Sequence, residues 1–120
     1  MKTKFFFSIS ILILSLAFSL NAQTVDSGDF SLNSKTPGYS LNKNTGERTV
    51  MVEIKFNQKF TTKPHVLVSI TKIDASKDQN LRFSVEVAIV TTEELIIKVK
   101  TWAETQIHSI GGKWLAVAAE

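Results

Sequence analysis

The sequence of 120 residues contains no cysteine and only two histidines, His65 and His108. Disulfide bridges and a lipid anchor on cysteine are therefore excluded, so stability must come from a hydrophobic core or from oligomerisation. The same scarcity removes thiol nucleophiles and cysteine-based zinc sites, and no predicted strand face carries paired carboxylates. We therefore predict a protein that is not an enzyme and that uses no cofactor or metal.

An excess of charge of one sign is also missing. The chain has 14 basic and 11 acidic residues, for a formal net charge of +3. Lys2 and Lys4 belong to the leader described next, and without them the balance is almost even. Nucleic-acid-binding domains show a clustered basic face, whereas these lysines are scattered. The sequence therefore predicts no nucleic-acid partner.

Only one long apolar run occurs, at residues 5–20, behind the basic start of Lys2 and Lys4. Ala22 offers a small residue for cleavage. The run is about 16 residues long, against about 20 for a transmembrane helix, and no charged stop-transfer segment follows. We therefore predict a signal peptide at 1–22, in preference to a membrane anchor, and a single secreted domain at 23–120 that does not insert into membranes.

The clearest pattern in the chain lies between residues 80 and 102. Apolar residues recur there at every second position in two runs: Leu81, Phe83, Val85, Val87 and Ile89, then Leu95, Ile97 and Val99. This period predicts the two half-buried strands of one hairpin. In the second arm, Lys98, Lys100 and Trp102 fall on the opposite face, so Trp102 is expected among lysines.

The register of this hairpin follows from the need to match the two apolar faces. Ile89 pairs with Leu95, which leaves a three-residue loop and places Arg82 directly opposite Trp102, or it pairs with Ile97, which makes them diagonal neighbours. Either register brings Arg82 and Trp102 to the same face and the same end of the sheet, at roughly 5–8 Å.

The remaining strands are shorter and are separated by polar segments. We predict a first strand at 24–30 interrupted at Ser27-Gly28, a loop at 33–48, strands at 49–56 and 66–71, and a polar loop at 74–80. A short segment at 107–110 and a turn or bulge at Gly111-Gly112 lead to the last strand at 113–118, whose Trp114 is expected in the core. With no helical period after residue 22, these elements predict an all-β, six-stranded antiparallel β-sandwich.

One spacing resembles that of a calcium loop, with oxygen-bearing side chains at Asp74, Ser76, Asp78 and Asn80. The glycine expected at the sixth position and the glutamate expected at the twelfth are absent. A solvated loop is therefore favoured over a metal site. Asp74 is instead expected to support Arg82 from behind.

Five short motifs follow one another along the chain: Phe56-x-x-x-Phe60, Ser69-Ile70-Thr71, Gln79-Asn80-Leu81-Arg82, Thr101-Trp102-x-x-Thr105 and Trp114-Leu115-Ala116. Over residues 54–118, this ensemble resembles the H-type lectins, which include snail agglutinins specific for N-acetylgalactosamine and the C-terminal domain of the discoidins. The resemblance implies a six-stranded sandwich that forms a homotrimer, with a shallow, metal-free sugar site at each junction between protomers.

The resemblance also implies roles for individual residues. Arg82 matches the arginine that donates to sugar hydroxyls, and Trp102 matches the tryptophan that packs against the sugar. His108 takes the place of a tyrosine at the rim of the site. An acidic partner from the early loop is matched by Asn44, Thr45 or Glu47. The chain departs from the family at Ala103, where snail members carry histidine, and at Glu94, where a glycine is common.

Two alternatives accompany this hypothesis. Arg82 and Trp102 could form a cation–π pair without a ligand, worth about 0.5–1 kcal/mol. The same sandwich could also serve as a structural or adhesion module that binds no sugar. The hypothesis that follows from the resemblance is a secreted lectin for galactose-type or N-acetylgalactosamine-type glycans.

Overall fold

A computed structural model describes residues 22–119, which form six strands. Residues 1–21 of the predicted signal peptide lie outside this range. The strands are β1 (Gln23–Asn33), β2 (Arg48–Lys55), β3 (His65–Ala75), β4 (Phe83–Val90), β5 (Glu94–Thr101) and β6 (Ile107–Ala119). Between residues 22 and 119 the structure contains no helix, and hence none that could cross a membrane.

The six strands form two three-stranded sheets. Sheet A has the order β1-β6-β3 and sheet B has the order β2-β5-β4, with antiparallel pairing throughout. Side chains at alternate positions of each strand turn inward, and β5 shows this period along its whole length. The buried core includes Phe30, Leu32, Leu41, Val50, Phe60, Leu95, Ile97, Val99, Ile107, Ile110 and Trp114. The predicted all-β sandwich is confirmed.

The hairpin of β4 and β5 adopts the first of the two registers over most of its length. Phe83 pairs with Thr101 and Val87 with Ile97, and the loop consists of residues 91–93. The Thr91 hydroxyl accepts hydrogen bonds from the backbone N–H groups of Glu93 and Glu94, at 3.2 and 3.1 Å. This side-chain cap holds the loop with glutamate at position 94, where the resemblance described above implies a glycine.

The end of β4 departs from the prediction. A bulge after Val87 places Ile89 opposite Ile96, so the pairing with Leu95 passes to Val90. Val90 then packs against the core, whereas Ile89 is half exposed. Two successive apolar residues satisfy either face, so the period-two pattern could not locate the bulge.

Glycine has a different role here from the one predicted. β1 runs uninterrupted through Gly28. The absence of a side chain there leaves room for the indole of Trp114, since an added Cβ would stand 2.8 Å from its Nε1. Likewise, β6 continues through Gly111 and Gly112 without a turn. The irregularity lies on the neighbouring strand, between Ile70 and Lys72 of β3. These glycines permit close approach of neighbouring groups rather than chain reversal.

One further strand boundary differs from the prediction, and one core residue agrees with it. β3 extends to Ala75, so Asp74 lies in a strand and not in the polar loop expected from residue 74 onward. Trp114 is buried as predicted, with its ring 5.6 Å from that of Phe56, which in turn meets Phe60 edge to face at 4.9 Å. This aromatic cluster joins sheet A to the segment that follows β2.

The sandwich has two distinct poles. At the first pole, Gln23 pairs with Ala119, so β1 begins where β6 ends. At the second pole, β1 ends at Asn33, β5 ends at Thr101 and β6 begins at Ile107. The short segment from 102 to 106 crosses from sheet B to sheet A at this second pole.

The central position of Gly112 generates a stability prediction. A Cβ at this position would lie 1.9 Å from the backbone oxygen of Ser69, which cannot retreat without breaking the pairing of β3 with β6. Gly112→Ala should therefore lower the free energy of unfolding by roughly 3 kcal/mol or more, as measured by chemical denaturation. Ser109→Ala, on the same strand, is the matched control, and equal losses in the two variants would contradict this account.

Candidate functional site

The predicted pair, Arg82 and Trp102, lies at the second pole. Phe83, the first residue of β4, pairs with Thr101, the last residue of β5. Arg82 and Trp102 are the next residues beyond this pair. Trp102 is 38% exposed, and the Nζ of Lys100 lies 5.8 Å from its ring centroid. The expectation that Trp102 sits beside a lysine is confirmed, and the cation over its ring is Lys100 rather than Arg82.

Two buried threonines hold the segment that leads into β4. The Thr101 hydroxyl donates to the carbonyl of Arg82 at 2.5 Å, and the Thr105 hydroxyl donates to that of Asn80 at 2.5 Å. Thr105 also accepts from the backbone N–H of Arg82, at 3.1 Å. The threonines of the Thr-Trp-x-x-Thr motif therefore have a structural role, since they fix the backbone of the Asn-Leu-Arg motif.

Arg48 organises the second pole and was not singled out from the sequence. It is only 7% exposed, and its guanidinium donates three hydrogen bonds to backbone carbonyls: Gly46 at 2.9 Å, Thr105 at 2.8 Å and Ala103 at 2.6 Å. The early loop and the 102–106 segment are thus tied to one side chain. The alternation along β2 could have revealed it, because Arg48 lies two residues before Val50 and shares its inward face.

Glu104 is the second residue that sequence reasoning missed. Its carboxylate forms an ion pair with the Arg82 guanidinium, and the two side chains are 45% and 34% exposed. Hydrogen bonds from its own backbone N–H and from Arg82 hold the pKa of the Glu104 carboxyl below its usual value. Ala103 has a left-handed backbone with φ of 57°, and the chain reverses there, between Trp102 and Glu104.

The expected support of Arg82 by Asp74 stays a prediction. Asp74 is held within sheet A, in register with Ser109 of β6. Arg82 directly precedes β4 of sheet B, and its backbone N–H donates to Thr105 of the 102–106 segment. The carboxylate that pairs with its guanidinium is that of Glu104. A contact between separate segments such as this one depends on how the loop closes, which local patterns do not reveal.

His108 lies at the start of β6 with an exposed side chain. Its Nε2 is 3.0 Å from the Ser76 hydroxyl, so the ring is tied to the segment between β3 and β4. The backbone N–H of Ser76 also donates to the carbonyl of Gln106, at 3.0 Å. His108 is therefore fixed near the second pole, on the side of sheet A.

The early loop, residues 34–47, packs against the same pole. The Tyr39 hydroxyl donates to the carbonyl of Ile107 at 2.5 Å, and burial raises the pKa of Tyr39 to about 12. The Ile107 N–H donates to the carbonyl of the buried Leu41 at 2.8 Å. Beyond these anchors, Asn44, Thr45 and Glu47 are exposed. The loop thus carries its candidate side chains on a fixed base.

The site is built from amide, guanidinium, carboxylate and indole groups. Among residues 22–119, no group of three or more His, Cys, Asp or Glu side chains is arranged to hold a metal ion. An exposed indole beside an arginine and a carboxylate presents both an apolar face and hydrogen-bonding groups. Such a surface suits a small polar ligand that has an apolar side.

Comparison with known proteins places this geometry in context. One of the discoidin-1 polypeptides of Dictyostelium discoideum is 32% identical over 82 residues, which cover 68% of this chain and 32% of that protein. Two structures of discoidin II from the same organism match with TM-scores of 0.71 and 0.73, at 25% identity, over 82% of this chain and 38% of theirs. The chain thus spans about a third of the length of these relatives.

A family model covers most of the described sandwich. The model of the H-type lectin domain matches residues 51–117, from β2 to near the end of β6. This range includes Arg82, Trp102 and Glu104, together with the two threonines that position them. The chain therefore belongs to the H-type lectin domain family.

Proposed function

We propose that this protein is a secreted, non-enzymatic lectin that binds galactose-type or N-acetylgalactosamine-type glycans through a shallow, metal-free site at the second pole. The observation that carries the proposal is the exposed indole of Trp102 next to Arg82, whose backbone is fixed by two buried threonines. His108 and the early loop, with Asn44 and Glu47, lie at the rim as helpers.

The chemistry of the two central side chains suits a galactose-type ring. One face of that ring is apolar because several C–H groups point the same way, and an indole covers such a face well. The planar guanidinium of Arg82 donates several hydrogen bonds in a fixed geometry, which matches neighbouring ring oxygens. Trp102 would therefore set the plane of the sugar, and Arg82 its orientation.

Preorganisation favours binding over a merely structural pair. Arg48 holds the carbonyls of Ala103 and Thr105 in place, so the segment that carries Trp102 and Glu104 is ordered before any ligand arrives. Ordering a loop during binding would reduce affinity, which shallow sites have little of. The buried Arg48 thus supports the site without touching the sugar.

The outer faces of the two sheets favour association of protomers. On sheet A, Leu67 pairs with Leu115 and is 71% exposed, and a groove of about 630 Å³ crosses this face. On sheet B, the corresponding face is charged and includes an ion pair of Lys98 with Glu86, at 3.7 Å. We assign the outer face of sheet A to the homotrimer contact. Three weak sites on one assembly would gain avidity on a glycan-coated surface.

A glycan array tests the function directly. The chain from Gln23 onward should bind terminal galactose or N-acetylgalactosamine equally well with and without a chelator. Trp102→Ala should abolish the array signal, because each shallow site loses its stacking contact and avidity multiplies the loss. Met51→Ala, which removes an exposed apolar side chain from the outer face of sheet B, should bind as the unchanged protein does.

If the folded, unsubstituted protein bound no glycan on the array, the lectin proposal would be contradicted. In that case the sandwich would act as a structural or adhesion module that binds no sugar. Loss of binding with chelator would contradict the metal-free site alone.

The role of Arg48 is tested by stability. Arg48→Met leaves three backbone carbonyls without their donors, so the free energy of unfolding should fall by roughly 3 kcal/mol in chemical denaturation. Lys55→Met, an exposed basic residue at the other end of β2, should change it by less than about 0.5 kcal/mol. Similar values for the two variants would show that Arg48 does not hold the pole.

The trimer is tested by light scattering of the chain from Gln23 onward. The expected mass is that of three chains, and Leu67→Lys should reduce it to that of one, because a charge would be buried in the contact. Met51→Lys is the control, since Met51 is 57% exposed on the outer face of sheet B, and should leave the trimer intact. A monomer mass for the unsubstituted chain would remove any site between protomers.

A further inference from the structure

We infer that Glu104, rather than a residue of the early loop, supplies the acidic group of the sugar site and restricts it to uncharged glycans. This inference rests on the proposed function and assigns selectivity within the same site. It follows from the position of Glu104 in the turn after Trp102 and from its ion pair with Arg82.

Glu104 has a fixed position in the turn that follows Trp102. Glu104 stands two residues after Trp102, and the left-handed turn at Ala103 lies between them. The carbonyls on either side, those of Ala103 and Thr105, are held by Arg48, so the backbone of Glu104 is fixed. Its carboxylate contacts the Arg82 guanidinium, at the same pole as the exposed Trp102 indole. Glu47, the acidic residue expected from the early loop, is exposed on a separate segment.

Hydrogen-bond capacity is the second argument. A guanidinium has five N–H donors and a carboxylate has about four acceptor positions, so one ion pair leaves both groups with capacity to spare. A sugar hydroxyl both donates and accepts. It would therefore bridge the pair, accepting from Arg82 and donating to Glu104. Two neighbouring hydroxyls would engage both edges of the pair.

Charge is the third argument. An unpaired arginine with a lysine nearby attracts carboxylate, sulfate or phosphate groups. Here Glu104 offsets the charge of Arg82, and both side chains are only partly exposed. An acidic sugar would have to displace the carboxylate or accept repulsion from it, whereas an uncharged sugar would do neither. The ion pair thus selects by charge as well as by shape.

The experiment compares four proteins from Gln23 onward: the unsubstituted chain, Glu104→Gln, Glu47→Gln as the rival acidic residue, and the matched control Glu86→Gln, an exposed glutamate paired with Lys98 on sheet B. Each is titrated with the methyl glycoside of N-acetylgalactosamine and with galactose 6-sulfate, and thermal unfolding checks that each remains folded. Glu104→Gln is nearly isosteric and partly exposed, so the fold should persist. Its affinity for the uncharged sugar should fall roughly 10-fold or more, while its preference for the sulfated sugar over the uncharged one should rise by a similar factor.

The outcomes separate this inference from the proposed function. If the unsubstituted chain binds the uncharged sugar and Glu104→Gln shows both changes while Glu86→Gln shows neither, the assignment holds. If Glu104→Gln matches the unsubstituted chain in both titrations, or if Glu47→Gln carries the loss, Glu104 is not the acidic group, although the lectin remains. If the unsubstituted chain binds neither sugar, the proposed function itself is overturned and this assignment with it.

Discussion

A single buried guanidinium determines the shape of the second pole. Arg48 reaches carbonyls on the early loop and on the crossing between the two sheets, groups that would otherwise be left without donors. Few side chains could do this, because the three acceptors diverge and only arginine offers donors spread over a rigid plane. The early loop, the Trp102 turn and the entry to β4 take their positions from this contact and from the two threonine hydroxyls.

Residues that mark the family thus fall into two groups. The threonines at 101 and 105 are buried and bind backbone, so they maintain the frame. Trp102 and Arg82 remain accessible to solvent and can contact a ligand. A relative could keep the first group and change the second, and it would then retain the fold while its ligand changed. Likeness over this region therefore establishes architecture more securely than specificity.

Much of the architecture could be predicted because the sandwich buries alternate residues along each strand. The period located β5 and the register that brings Arg82 beside Trp102. It did not locate the bulge before Ile89, since Ile89 and Val90 are both apolar. The glycines also suggested an interruption at Ser27-Gly28 and a turn or bulge at Gly111-Gly112, whereas Gly28 and Gly112 in fact allow an indole or a neighbouring strand to approach closely. A glycine that ends a strand and one that permits close contact look identical in sequence.

The site was only partly predictable for a related reason. Arg82 directly precedes β4 and Trp102 directly follows β5 in one hairpin, where the local pattern determines which residues are close. Glu104 and Arg48 act across loop closures, and their partners are backbone atoms or residues of another segment.

The pairing of Gln23 with Ala119 gives the molecule a direction. Both residues lie at the first pole, and Trp102 lies at the opposite end of the sandwich. If protomers associate side by side along the outer face of sheet A with their strands roughly parallel, all their second poles would point the same way. Every Trp102 of the assembly would then lie on one side, and both ends of each described domain would lie on the other.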